Sequence, residues 1–85
     1  MDRIRVELFA GARESMKLES IDIELQLPAT VHQLKEAIAI QFETLRPFVE
    51  FGRIAIHHEF VEDSNVIDSI LAQTVIALIP PVSGG

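Results

Sequence analysis

Val75 to Ile79 read VIALI, five apolar residues without a break, and Pro80 and Pro81 follow. An unbroken apolar run of that length, closed by residues that cannot continue a ladder, is the pattern of a β-strand covered on both faces. Such a strand belongs in the middle of a sheet, so the rest of the chain must supply a neighbour on each side of it. Arg3 to Phe9 (RIRVELF) supplies one: Ile4, Val6 and Leu8 alternate with Arg3, Arg5 and Glu7, the period of two of a half-buried strand. Ile21 to Leu27 (IDIELQL) is a second strand, with Ile21, Ile23, Leu25 and Leu27 on one face before Pro28 closes it, and the short link before it suggests that it pairs antiparallel with the first.

Between the first two strands GARESMKLES is a polar link with one short helical turn over Ala12 to Met16. The main helix lies in TVHQLKEAIAIQFETL. Thr30 and Gln33 have the spacing of a capping box, and Val31, Leu34, Ile38, Phe42 and Leu45 form one apolar stripe. Pro47 is expected to stop the helix and to hold Arg46 out of the α region. RIAIHHEFVE reads as two short strands meeting at His57 and His58, and DSN as a turn. VIDSILA fits either a helical turn or an apolar loop. Strand, strand, helix, one or two strands and a central last strand parallel to the first make an α+β chain. The arrangement expected is the ubiquitin-like β-grasp, a mixed sheet with one main helix packed across it. Residues 1–81 form this domain and residues 82–85 a flexible Gly-Gly tail.

Length and composition narrow the function. With 85 residues the chain is one domain, burying a little over ~60% of its unfolded surface, without room for a deep catalytic cavity. Its 48% apolar and 24% charged residues are globular proportions. Seven basic against 13 acidic residues give a formal charge of −6, which opposes nucleic-acid binding and suits a basic partner surface. No apolar run is long enough for a membrane span and MDRIRVELF does not resemble a signal peptide, so no membrane partner and a cytoplasmic location are expected. The absence of cysteine excludes disulfides, thiolate metal sites and a thiol nucleophile.

Candidate sites within the body are weak. His57 and His58 are adjacent and point to opposite faces if they lie on a strand, and His32 has no partner in sequence, so no metal site is expected. Glu36, Glu43, Glu59, Glu62 and Asp63 are scattered and read as a solvated acidic face. No serine lies in a nucleophile motif and no glycine in a phosphate-binding loop. Phe9 is out of phase with Ile4, Val6 and Leu8, and Phe60 stands at a strand end. Each is either a contact of a satellite core or a residue for a partner.

The ending IPPVSGG is different in kind. Pro80 and Pro81 donate no N–H and hold an extended course, Val82 and Ser83 make a short step, and Gly84 and Gly85 carry no Cβ. The gradation reads as a peg for a narrow tunnel, against the competing reading of a frayed end.

VELFAGARE (Val6 to Glu14) together with ALIPPVSGG (Ala77 to Gly85) resembles the small subunits of molybdopterin synthase over the whole chain. His57 departs from that pattern, standing where the family often has Asn. The resemblance implies a sulfur carrier, with no active site of its own, inside a heterotetrameric sulfurtransferase. An E1-like activating enzyme adenylates the terminal Gly85 with ATP, and a persulfide donor replaces the adenylate to leave a thiocarboxylate. The tail, Pro80, Pro81, Val82, Ser83 and Gly84, then threads into the large subunit, where the sulfur attacks precursor pterin to build the dithiolene. No bound cofactor is implied. Phe9, Phe60 and Ile79 match the apolar positions that dock against the large subunit. The alternatives are a carrier for thiamine thiazole or tRNA thiolation, or a β-grasp interaction module with an inert end.

Overall fold

The computed structural model describes residues 1–70 and 73–80. The order is β1 (Asp2–Leu8), α1 (Ala10–Met16), β2 (Ser20–Leu25), β3 (Ala29–Thr30), α2 (Val31–Gln41), a 3-10 turn (Glu43–Leu45), α3 (Arg46–Phe51), β4 (Arg53–Ile56), β5 (Glu59–Val61), β6 (Val66–Ile67) and β7 (Ile76–Ile79). The main sheet runs β2-β1-β7-β4-β5, so the last strand is indeed central. It lies parallel to β1, with Val6 opposite Ile76 and Leu8 opposite Leu78, and antiparallel to β4. This is the α+β, ubiquitin-like β-grasp expected from the order of the elements.

The core follows the alternation of the strands. Ile4, Val6, Leu8, Ile21, Ile23, Ile54, Ile76 and Leu78 cluster with Val31, Leu34 and Ile38 of α2, and Leu45 and Val49 complete the cluster. The N-terminus of α2 is fully provided for. Val31 N donates to Asn65 O (2.9 Å), His32 N to Asp63 O (2.9 Å) and Gln33 N to Thr30 Oγ1 (3.1 Å). Thr30 N in turn donates to Gln33 Oε1 (2.8 Å), completing the capping box.

Several expectations are corrected. Pro47 begins a helix instead of ending one. α2 stops at Gln41, and Pro47 occupies the first turn of α3, where its missing N–H costs nothing and its fixed φ fits. Arg46 is accordingly in the right-handed α region (φ −50°, ψ −48°). The apolar stripe therefore continues through a break at Phe42, and Leu45 reaches the core from the 3-10 turn. The link after β1 holds a seven-residue helix, not one turn over Ala12 to Met16. Val66 and Ile67 are neither helix nor loop but pair with Ala29 and Thr30 in a second, two-stranded sheet, too short to leave a period in sequence. Leu71 and Ala72 of that stretch, and the tail from Pro81 to Gly85 with the proposed boundary at 81/82, lie outside the described residues.

Among the described residues four non-glycine positions have positive φ: Ala10, Lys17, His57 and His58. Lys17 ends α1 at φ 57°, its N–H donating to Arg13 O at 2.8 Å, a place glycine fills without a Cβ clash. Lys17→Gly is expected to raise stability by about 1 kcal/mol, read as a higher urea midpoint at unchanged slope.

Candidate functional site

Alternation that buries one face of the sheet exposes the other. Arg5 and Glu7 point outward on β1, and Phe9, one step beyond the strand, keeps their phase. On β7 the same phase holds Ala77 and Ile79. Ala77 stands opposite Glu7 on one side and Ala55 on the other, and Ala55 in turn stands opposite Phe60. His57 and His58 set this register. They form the two-residue loop of the β4–β5 hairpin with φ of 52° and 69°, the positive pair a type I′ turn needs. His57 N donates to Val75 O at 2.8 Å, tying the loop to the start of β7.

The result is a hollow of about 280 Å³ lined by Phe9, Phe60, Ile79, Val75, Glu7 and His58, with Ala55 and Ala77 as its floor. The alanines are only 6% and 7% exposed because the larger side chains around them shade them, while Phe60 is 55% and Phe9 41% exposed. Beside the hollow the Arg53 guanidinium lies 4.4 Å from the centre of the Phe60 ring. The expectation that VIALI is covered on both faces is thus corrected. The buried residues of all three helices pack into the inner cluster, and the outer face of β7 is floored by alanine and left open. An apolar run on a strand with one open face is surface that another molecule can complete.

Pro80 leaves β7 at the edge of this hollow and is buried. Beside it runs Gly52, where an added Cβ would sit 2.3 Å from Phe48 O, 2.9 Å from Ile79 O and 3.3 Å from Pro80 Cα. The backbone of β7 therefore lies directly against Gly52 at the root of the tail. Of the tail residues named from sequence only Pro80 is described. Phe9, Phe60 and Ile79, far apart in sequence, are brought together. Sequence reasoning missed Arg53, Ala55 and Gly52. The hairpin register carries the first two: the two strands do meet at His57 and His58, as the sequence suggested, and that junction sets Ala55 opposite Phe60.

The helical side holds a larger hollow, about 320 Å³, between α2 and α3. Its charges answer one another: Lys35 Nζ lies 3.1 Å from Asp63 Oδ1, and His32 Nε2 lies 3.5 Å from Glu36 Oε1. The expectation that His32 has no partner in sequence is thus corrected: Glu36 stands four residues on along the same helix, and Asp63 is brought in by the fold. His32 Nδ1 faces Asp63 Oδ2 at 3.9 Å, so the two carboxylates meet opposite nitrogens of the ring and do not converge on one ion. Among the described residues no three His, Asp or Glu side chains group as metal ligands, no charged or polar residue is buried, and no helix is long and apolar enough to cross a membrane.

An open apolar hollow beside a proline-bounded central strand is thus a distinctive surface among the described residues. The model of the ThiS family matches residues 6–85, nearly the full chain. This chain belongs to the ThiS family. It is 27% identical over 82 residues to the molybdopterin synthase sulfur carrier subunit of Arabidopsis thaliana, covering 96% of this chain and 82% of that protein. Among solved structures it is similar to SAMP1 of Haloferax volcanii, with a TM-score of 0.75 at 23% identity, covering 99% and 100% of the two chains. A complex of subunits 1 and 2 of the molybdopterin-converting factor of Helicobacter pylori matches at 25% identity and a TM-score of 0.62, covering 99% and 100%. Membership of the ThiS family and the β-grasp topology described above agree.

Proposed function

We propose that this chain is the sulfur carrier of a molybdopterin synthase, docking through the outer hollow onto a large subunit and delivering sulfur from its last residue. The observation that carries the reading is spatial. Phe9, Phe60 and Ile79 surround an open apolar hollow at the point where Pro80 leaves the sheet. A partner seated on the hollow therefore receives the chain end at a fixed origin, which makes sulfur transfer an intramolecular event within the complex. Relatives named as sulfur carrier subunit and as one half of a two-subunit converting factor support the same assignment.

The chemistry follows from the carboxylate. Its charge is delocalised and oxide is a poor leaving group, so Gly85 must first be activated. An E1-like enzyme joins the carboxylate to the AMP moiety of ATP with release of pyrophosphate. The outer sulfur of a donor persulfide then displaces AMP to give an acyl disulfide. A second thiol, supplied by the activating or donor protein since this chain has no cysteine, cleaves the S–S bond, leaving the thiocarboxylate on Gly85 and a disulfide on the thiol side. Pro81, Val82, Ser83 and Gly84 carry this group into the large subunit, where its sulfur attacks precursor pterin. Catalytic acids and bases then belong to the partner, in keeping with a body whose described ionisable side chains all reach solvent. The reaction runs in the cytoplasm, within a heterotetramer of two carriers and two large subunits.

Intact-mass measurement tests the proposal. After incubation with an activating enzyme, ATP, a persulfide donor and a thiol reductant, the chain is expected to gain the mass difference between sulfur and oxygen. Fragmentation should map the change to Gly85, and a variant lacking Gly85 should show none. No gain with an activating enzyme that loads another carrier would overturn the carrier reading and leave an interaction module.

A further inference from the structure

The proposed docking face contains a cation for which no described residue supplies a carboxylate. Arg53 opens β4, opposite Ile79, and its guanidinium lies over Phe60 at 4.4 Å from the ring centre. Among the described residues it has no carboxylate within ion-pair distance. Arg5 and Arg13 are paired with Asp22 and Glu19, while Arg3 and Arg46 share the lack of an ion pair among the described residues. What sets Arg53 apart is its place over Phe60 on this face. Glu7, the acidic residue of the hollow, stands opposite Ala77, two strands away and further along the sheet.

Attraction to the ring holds the guanidinium beside Phe60 and leaves its N–H donors without a carboxylate among the described residues, open to an acceptor on a partner. A partner that covers Phe60 and Ile79 must also remove water from Arg53, since the three adjoin. A desolvated cation without an acceptor opposes binding strongly, whereas one met by a carboxylate contributes to it. The aromatic ring and the charge are thus presented to a partner as one unit.

We infer that Arg53 selects the partner: the surface that receives Phe60 carries an Asp or Glu side chain at the rim of its apolar pocket, placed to accept from the Arg53 guanidinium. The inference rests on the docking role proposed above and adds the chemistry of the receiving surface. It also resolves a mismatch of sign, because a chain of net charge −6 would be expected to seek a basic surface, while its docking face asks locally for an acid.

The test is binding of the purified large subunit, followed by surface plasmon resonance at low and at physiological salt. The variants are Arg53→Met, which keeps an aliphatic cover on Phe60, Arg53→Glu, Arg53→Lys and Phe60→Ala, each checked by thermal melting. Arg53→Met should weaken binding at least about tenfold and flatten the salt dependence of the association rate. Arg53→Glu should weaken it further, and Arg53→Lys should restore the salt dependence. If Phe60→Ala weakens binding while Arg53→Met and Arg53→Glu match the wild type in affinity and salt dependence, the selecting role of Arg53 is overturned and the docking face stands. If Phe60→Ala also binds like the wild type, the docking face itself is overturned, and Arg53 with it.

Discussion

Gly52→Ala is expected to lower stability by about 3 kcal/mol, the upper part of the range for forcing extra volume into packed structure. Gly52 has φ −95° and ψ −175°, an ordinary extended conformation, so the cost is one of space. The new Cβ would lie 2.3 Å from Phe48 O and 2.9 Å from Ile79 O. Both are backbone atoms, so no side chain can swing aside. One belongs to α3 and the other to the central strand, and separating them opens the junction where the helical layer meets β7. For a domain of this size the change lowers Tm by about 15 °C, measured by circular dichroism or calorimetry. A Tm within about 3 °C of the wild type would show that α3 yields freely, and that the packing at the tail root is not tight. Because Pro80 Cα is the third atom met, at 3.3 Å, the variant should also deliver sulfur poorly at temperatures where it is still folded.

Much of this architecture was legible because its signals are local. VIALI and RIRVELF each declare a strand by pattern alone, and the Thr30–Gln33 capping box marks the start of α2 to the residue. What was not legible depends on contacts distant in sequence. Pro47 looks the same at the start of a helix as at the end of one. Only the break at Phe42, where the backbone leaves the α region, makes it a start. His57 and His58 lack the Asn-Gly signature of a type I′ turn, yet the register of β4 with β5 imposes positive φ on both. The two-residue partnership of β3 with β6 has no period to read. His32 finds Asp63 only through the fold, thirty-one positions away in the numbering.

The outer hollow, the proposed docking surface, was half legible for a related reason. Phe9 betrayed itself by phase, since an aromatic that breaks a strand's alternation must face outward. The alanine floor did not, because alanine is equally at home in a core, on a surface or in a helix. Ala55 and Ala77 acquire meaning only as register partners, where two small side chains side by side make a hollow rimmed by large ones. The same pairing bears on why VIALI is apolar throughout: its inner residues meet the helices, and its outer residues line the open hollow to which the proposed docking is assigned.

Phe60→Ala separates these two roles of apolar surface. In the isolated chain Phe60 is 55% exposed on the short strand β5, at the edge of the sheet, so removing its ring exposes no core. Within the fold the substitution removes the attraction between Arg53 and the ring, about 0.5–1 kcal/mol at an exposed site, and Tm should fall by no more than a few degrees. In the complex the ring becomes an aromatic anchor buried among Phe9, Ile79 and the partner, a position where truncation typically costs about 2 kcal/mol or more. Affinity for the large subunit should therefore fall about 30- to 100-fold, measured by titration calorimetry. Loading of sulfur on Gly85 is a separate step and can be followed by mass on the same variant. Two results would defeat the assignment: a variant that melts near room temperature, which would make Phe60 a core residue, or one that binds like the wild type. A folded Phe60→Ala chain with weakened docking would place the energy of the complex on the outer face of a sheet whose inner face alone holds the domain together.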